Sequence, residues 1–317
     1  NWRRSKIPTF GSPESRSRKM SSDLLSELQA RCVFPPSGTE VDCAVSGGAD
    51  SLALLLLAVN AGLKVTAWHV DHGLRETSSD EGEMVFEVAS DLGVKANCLK
   101  AFVEDGPNLE ARARDARRDV LPPQILTGHT ADDQAETVIL NLLRGSGVQG
   151  TAGIGDPHRR PILDLRRHET KKLCLSEQLD PVNDPMNLDP RFTRNRIRNE
   201  VIPLLAEVTE RDPVPLLTRH ANLAGEASGI LDDLIKDLDI TNVRSVADVP
   251  DPVVRFAIQD WLRDKLGLPA DSSSVNRVLQ IVRGEIKGTE IPGGFRVDRS
   301  KGKVRFSVNT KISQESD

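Results

Sequence analysis

The chain of 317 residues contains no tyrosine, and aromatic residues make up only 3% of it. That disfavours an extended base-stacking platform, which needs several aromatic faces in a row. Cysteine is scarce: Cys32, Cys43, Cys98 and Cys174 lie far apart and form no CxxC pair. Such spacing argues against a disulfide framework, a structural zinc site or a cysteine-held cluster, and favours a reducing, cytoplasmic setting. No apolar run approaches bilayer length; the run from Leu52 to Ala61 suits a core helix, so no membrane partner is expected. Neither the Walker pattern GxxxxGKS/T nor the dinucleotide fingerprint GxGxxG occurs.

The net charge of −5 does not advertise a nucleic-acid binder, but it is unevenly spread. Residues 76–91 are acidic, whereas 159–172 and 191–198 are rich in Arg and Lys. Residues 1–20 are basic, rich in Ser and Pro, and lack an apolar signal core. They read as a disordered tail upstream of a start at Met20 rather than as a targeting segment.

From Val41 onward, strand patterns at 41–46, 64–70, 94–99 and 124–127 alternate with helical patterns at 51–61, 80–92, 109–120 and 131–143. Repeated strand–helix units imply an α/β fold with a parallel sheet, whose ligands bind beyond the carboxyl ends of the strands. Five glycines across 145–155 mark a mobile loop. After about residue 215, apolar residues at helical spacing and a hairpin through 295–306 describe a smaller, mainly helical α+β domain. The expected division is a tail (1–20), a catalytic domain (21–215) and a C-terminal domain (216–317).

In AVSGGADSLALLLLA, a buried strand breaks into a glycine turn and restarts as an apolar helix. Gly47 and Gly48 let main-chain amides converge, and the helix beginning at Asp50 or Ser51 adds its dipole. Ser46, Gly47, Gly48, Ala49, Asp50 and Ser51 thus form an anion site, or else a tight turn in which Asp50 or Ser51 caps the helix. Asp71 and His72 follow the second strand; Asp71 suits a metal, a nucleotide group or a buried turn. Arg114 and Arg117, three apart, share a helix face and can neutralise phosphate or pair with Glu110 and Asp115. In GHTADDQAET, Thr130 or Asp132 can cap a helix on which Asp133, Glu136 and Thr137 share one polar face. A carboxylate there suits Mg²⁺ or the ammonium of an amino acid, and spacing does not choose between them. His129 is either an active-site residue or a satisfied structural histidine. Arg191, Arg194, Arg196 and Arg198 surround Phe192, as an RNA-contacting cluster or the basic surface of a helix start.

SGGADS matches the SGGxDS motif of the PP-loop ATP pyrophosphatases, whose core is a Rossmann-like parallel sheet. Within that superfamily HVDHGLR, NLEARARDAR, TGHTADDQAETVILNLLRGSGVQG, RPILDLRR with Arg160, and DPRFTRNRIR resemble the tRNA(Ile)-lysidine synthetases, in order, over roughly 41–205. The resemblance implies ATP and Mg²⁺ as cofactors, with free L-lysine and the CAU-anticodon isoleucine tRNA as substrates. It implies that lysine is joined to C2 of the wobble cytidine through an adenylated intermediate. Asp50, Arg114, His129 and Asp133 would be catalytic, with Asp50 also holding the metal. Ser46–Ser51, Asp71, His72 and Arg117 would hold the nucleotide, and Glu136, Arg144, Phe192, Arg194, Arg196 and Arg198 the substrates. The glycine loop after Arg144 would close over the site, and the C-terminal domain would dock the tRNA. One departure is Arg118, where the family usually carries an aromatic residue. A PP-loop thiolase is disfavoured by the missing paired cysteines, and an ammonia-using amidase by the missing glutaminase domain. A non-catalytic nucleotide sensor would bind ATP without releasing pyrophosphate. The sequence leaves the oligomeric state open, a homodimer included.

Overall fold

The structure, a computed structural model, describes residues 22–71, 78–101, 112, 116, 119–182 and 189–308. Residues 1–20, His72, Arg114, Arg117 and Arg118 lie outside them. Strands β1 (Glu40–Ala44), β2 (Lys64–Asp71) and β3 (Lys95–Lys100) pair in parallel in the order β1-β2-β3. Helix α1 (Ala49–Asn60) connects β1 to β2, and α2 (Ser78–Asp91) connects β2 to β3. On the other side of β1, Leu126 bridges Cys43 in the parallel sense. Leu126 N–H donates to the Asp42 carbonyl at 2.8 Å, and Ala44 N–H to the Leu126 carbonyl at 2.9 Å.

The strand expected at 124–127 therefore shrinks to a single bridge. Pro122 and Pro123 supply no amide donors before it, and Gly128 turns the chain away after it. Topologically the consequence outlasts the shrinkage. Strand order runs outward from β1 to β3 and then returns to the opposite flank of β1, which makes the carboxyl end of β1 a switch point. The two loops that open there are Ser46–Gly48, after β1, and Gly128–Thr130, after the bridge.

In α1, Ser51 through Ala58 are all buried. Leu and Ala are strong helix formers, and a helix apolar on every side belongs between layers rather than at the surface. The sheet core, with Cys43, Val45, Val65 and Ala67, covers one side. Helix α5 (Arg167–Ser176) packs along α1, where the Cys174 thiol donates to the Ala49 carbonyl at 3.4 Å. Two further helices complete the setting of the switch point: α3 (Ala131–Leu143) and the short turn α4 (Val148–Thr151). The glycine-rich stretch expected as a mobile loop contains α4 and is stitched to α3. Asn141 Nδ2 donates to the Gly150 carbonyl at 2.7 Å, and Gln134 Oε1 accepts from the Ile154 amide.

A helical path follows through α6 (Thr193–Arg196), a π segment (Ile197–Val201), α7 (Ile202–Thr209) and α8 (Pro213–Ile235). The chain forms two compact units, Asn1–Ala224 and Gly225–Asp317, so the division falls inside α8 rather than at 215. The second unit contains the end of α8, α9 (Asp251–Leu266), α10 (Ser272–Arg283) and an antiparallel meander. The meander comprises β4 (Gly288–Ile291), β5 (Phe295–Ser300) and β6 (Lys303–Val308). Val254, Ile258, Leu262, Val278, Ile281 and Val297 form its core. No described helix is long and apolar enough to cross a membrane.

Candidate active site

At the end of β1, Gly47 takes φ +82°, a conformation L-residues resist. Ser51 Oγ accepts from the Ser46 amide at 3.1 Å and donates to the Gly48 carbonyl at 2.9 Å, holding the turn closed on itself. Gly48 is the N-cap of α1, and no side chain caps the helix. The capping alternative for Asp50 and Ser51 is thereby excluded, and the dipole end of α1 faces the loop as an anion site requires. Gly128 crosses so close that a Cβ there would stand 2.6 Å from the Asp50 carbonyl oxygen. Gly128→Ala is expected to displace the Asp50 backbone, lowering stability by about 1–3 kcal/mol and weakening ATP binding, read by thermal unfolding and equilibrium dialysis. Unchanged ATP affinity would show that the crossing does not set the loop.

Facing that loop, Arg167 joins three carboxylates from two elements, Asp50 of α1 and Asp133 and Glu136 of α3. Its Nε lies 3.4 Å from Asp50 Oδ2, its Nη2 3.0 Å from Asp133 Oδ1 and its Nη1 3.0 Å from Glu136 Oε1. Thr170 Oγ1, one turn along α5, donates to Asp50 Oδ1. Glu136 is fully buried and also accepts from Arg194 Nε at 2.8 Å and Arg198 Nε at 2.7 Å. Arg194 Nη2 lies 3.3 Å from Asp133 Oδ1. Three guanidiniums therefore balance three carboxylates, as burial of so much charge requires.

Helical spacing splits the arginine cluster of 191–198. Arg194 and Arg198, four apart, share the face that meets Glu136, whereas Arg196 turns outward to Glu200 at 2.9 Å and Arg191 to Asp189 at 2.6 Å. Phe192 is half-buried at the start of α6. On α3, Thr130 is the N-cap and Asp133 completes a capping box, its Oδ2 accepting from the Thr130 amide and hydroxyl at 2.9 Å each. Asp132 is no cap; it accepts from Arg166 Nε at 3.1 Å and from the Arg167 amide at 2.8 Å. Thr137 spends its hydroxyl on the Asp133 carbonyl at 2.8 Å. His129 Nδ1 lies 2.8 Å from Thr127 Oγ1, and its charge acts on Asp133.

Burial, and the neighbouring Asp133 carboxylate, push Asp50 up to about 6 against the pull of Thr170 and Arg167. Burial also works to raise Asp133, but Arg167, Arg194 and His129 outweigh it and hold that carboxyl below its usual range. Burial opposes the charge on Arg167, yet Asp133, Glu136 and Asp50 together raise its pKa. Two adjacent carboxylates thus respond oppositely. Asp133 is firmly ionised, and Asp50 is poised near neutrality.

Ser46–Ser51, Asp50, His129, Asp133, Glu136, Arg194 and Arg198 gather around the switch point. Asp71 ends β2, where its carbonyl accepts from the Ala101 amide at 2.9 Å. Arg144 is exposed at the C-cap of α3, two turns beyond Glu136, and stands apart from the cluster. No motif spacing links Arg167 or Thr170 to this cluster, although Arg167 ends the RPILDLRR segment.

A glycine loop at a switch point, opening onto an uncapped helix and a buried acidic cluster, defines an α/β nucleotide-activating domain. The PP-loop domain family matches residues 20–205. The chain belongs to the tRNA(Ile)-lysidine synthases, and it is an ATP-using ligase. It is 38% identical over 282 residues to the tRNA(Ile)-lysidine synthase of Nocardia farcinica, covering 82% of this chain and 88% of that protein. The synthase of Corynebacterium glutamicum is 33% identical over 300 residues, 87% of this chain and 93% of its own length. That of Mycolicibacterium paratuberculosis is 41% identical over 235 residues, 69% and 73% respectively. Among solved structures, the U34-tRNA thiolase NcsA of Methanococcus maripaludis superposes with a TM-score of 0.53 at 14% identity, over 70% of this chain and 86% of that one. That likeness concerns the fold alone.

Proposed function

We propose that the chain joins free L-lysine to C2 of the wobble cytidine of the CAU-anticodon isoleucine tRNA, forming lysidine, in the cytoplasm. The observation that carries this reading is Arg167, which ties the anion loop at Asp50 to the Asp133–Glu136 pair. A site for a phosphate chain and a site for a cationic amino acid are thereby parts of one network. Four free cysteines fit a compartment in which thiols stay reduced.

In the proposed reaction the C2 carbonyl oxygen of cytidine attacks the α-phosphorus of ATP and pyrophosphate leaves. The ε-amine of lysine then attacks C2, loses a proton, and AMP departs with the oxygen. The Ser46–Ser51 loop, through the amides between Ser46 and Ser51 that the turn does not itself use, and the α1 dipole bind the departing pyrophosphate, with Arg114 and Arg117 neutralising it in this reading. Asp133 and Glu136 orient the lysine ammonium in this reading, which requires it to displace one of the guanidiniums of Arg167, Arg194 or Arg198 that fill their oxygens in the structure. Among the described residues no group of three or more His, Cys, Asp or Glu is arranged to hold a metal. Mg²⁺ needs only one or two carboxylates beside phosphate and water, and Asp50 fits that role: it is partly exposed and flanked by a second carboxylate. When bound, the ion would offset phosphate charge. Arg144, Phe192 and Arg196 offer outward contacts to the RNA, and Gly225–Asp317 docks the tRNA body.

The test is labelled-lysine incorporation into two transcripts with ATP and Mg²⁺ present, AMP release being followed in parallel. One is the CAU-anticodon isoleucine tRNA, the other the CAU-bearing elongator methionine tRNA. Incorporation into the first alone is expected. AMP release without lysine incorporation would remove lysine as the nucleophile. For docking, each unit has its own core, so the 1–224 fragment can be compared with the full chain. Equal tRNA affinity would sink that role.

A further inference from the structure

Beside the loop that carries His129, the neighbouring main chain is the turn Pro157–Arg159. The Arg159 carbonyl accepts the Thr127 amide at 2.9 Å, and Thr127 Oγ1 in turn meets His129 Nδ1 at 2.8 Å. Arg159 and Arg160 are consecutive and half-buried. The Nε of each is sealed from solvent without a hydrogen-bond partner. Arg160 keeps one side-chain bond, from Nη1 to the Gly155 carbonyl, and neither arginine has a carboxylate ion pair among the described residues.

The arginines of the acidic cluster and its border that carry ion pairs among the described residues are neutralised. Arg31 meets Glu169 at 2.6 Å, Arg166 meets Asp132 at 3.1 Å, and Arg167, Arg194 and Arg198 share Asp133 and Glu136. Burial and the charge of Arg159 lower the Arg160 pKa, against only Asp156 in the other direction. Two adjacent guanidiniums with partnerless buried donors are unfavourable by themselves. Their planar, multi-donor heads match a phosphate oxygen pair.

We infer that Arg159 and Arg160 form a phosphate-ester subsite at the edge of the catalytic cleft, filled either by ATP or by the RNA backbone. It borrows from the proposed function only the identity of the RNA. The test uses the full chain with Arg159→Gln and Arg159→Lys. MgATP binding is followed by equilibrium dialysis, and binding of the CAU-anticodon isoleucine transcript by filter retention over a salt series. One affinity is expected to fall about tenfold in Arg159→Gln while the other holds. If the phosphate is RNA, the slope of log affinity against log salt flattens by roughly 0.7–0.9 and Arg159→Lys restores it. If it is ATP, the RNA curve is unmoved. Curves that both superimpose on wild type overturn the subsite. In the unmutated protein, saturating ATP or transcript should shield Arg159 from phenylglyoxal, mapped by peptide mass. Shielding by neither overturns the inference whatever the variants do. Lysine incorporation enters none of these readouts. A chain that bound both ligands yet made no lysidine would sink the proposed reaction and leave the subsite standing.

Discussion

Asp50→Asn is expected to slow lysine incorporation by about 10²–10³-fold while raising the melting temperature at pH 8. The reason is the upward shift of Asp50 from an ordinary 3.8 to about 6, caused first by burial and then by Asp133. A carboxyl whose folded pKa lies above its unfolded value contributes stability when protonated. That contribution is complete below the unfolded pKa and is lost as pH rises through the folded one. For Asp50 the loss falls between about pH 4 and 6, and above it the ionised group leaves the fold up to about 3 kcal/mol less stable, at 1.36 kcal/mol per unit. Asn keeps an oxygen for the Thr170 hydroxyl and removes the charge that faces Asp133. Yet in the proposed reaction that charge is what Mg²⁺ requires, so its removal should reduce turnover by about 10²–10³-fold. Wild-type activity should rise with pH through about 6, while the stability gap between Asn variant and wild type widens over the same interval. Melting curves at pH 5 and pH 8, paired with lysine incorporation, decide the matter. An Asn variant that melts below wild type at pH 8 would make Asp50 a structural ion-pair partner.

The parts of this site written in a single stretch of chain could be read from the sequence. SGGADS fixes a turn and a helix start within six residues, and the unbroken Leu/Ala run after it has no alternative to burial. Asp133 and Glu136 share a face because three residues make most of a helical turn. Arg194 and Arg198 obey the same rule, and their four-residue spacing divides the basic 191–198 stretch into a face that meets Glu136 and an outward face with Arg191 and Arg196. Arg167 is different in kind. Its contact with Asp50 spans 117 positions, and no local period connects them. The thinning of the strand at 124–127 and the unit boundary inside α8 have a similar origin. Each depends on which partners the rest of the chain supplies, while the local pattern continues unchanged.

Arg167→Met should be the most damaging single change in the cluster. Removing one partner from a buried ion network leaves the other charges uncompensated, at about 3–5 kcal/mol. Here three carboxylates lose a shared donor, although Arg194 and Arg198 remain on Glu136 and Asp133. For a domain of this size the loss corresponds to a fall in melting temperature of roughly 6–20 °C. Arg167→Lys should recover only part of it, because one ammonium cannot present the separate Nε, Nη1 and Nη2 donors that reach Asp50, Glu136 and Asp133. The decisive comparison is Arg167→Met in the Asp50→Asn background. With one of the orphaned charges already gone, the combined loss should be smaller than the sum of the two separate effects. Strict additivity would mean that Arg167 supports Asp133 and Glu136 alone, and that the Ser46–Ser51 loop and the proposed lysine-binding pair are neighbours without being coupled. Non-additivity would make Arg167 the residue through which the charge state of Asp50 in the glycine loop is felt at Asp133 and Glu136, the proposed amino-acid site.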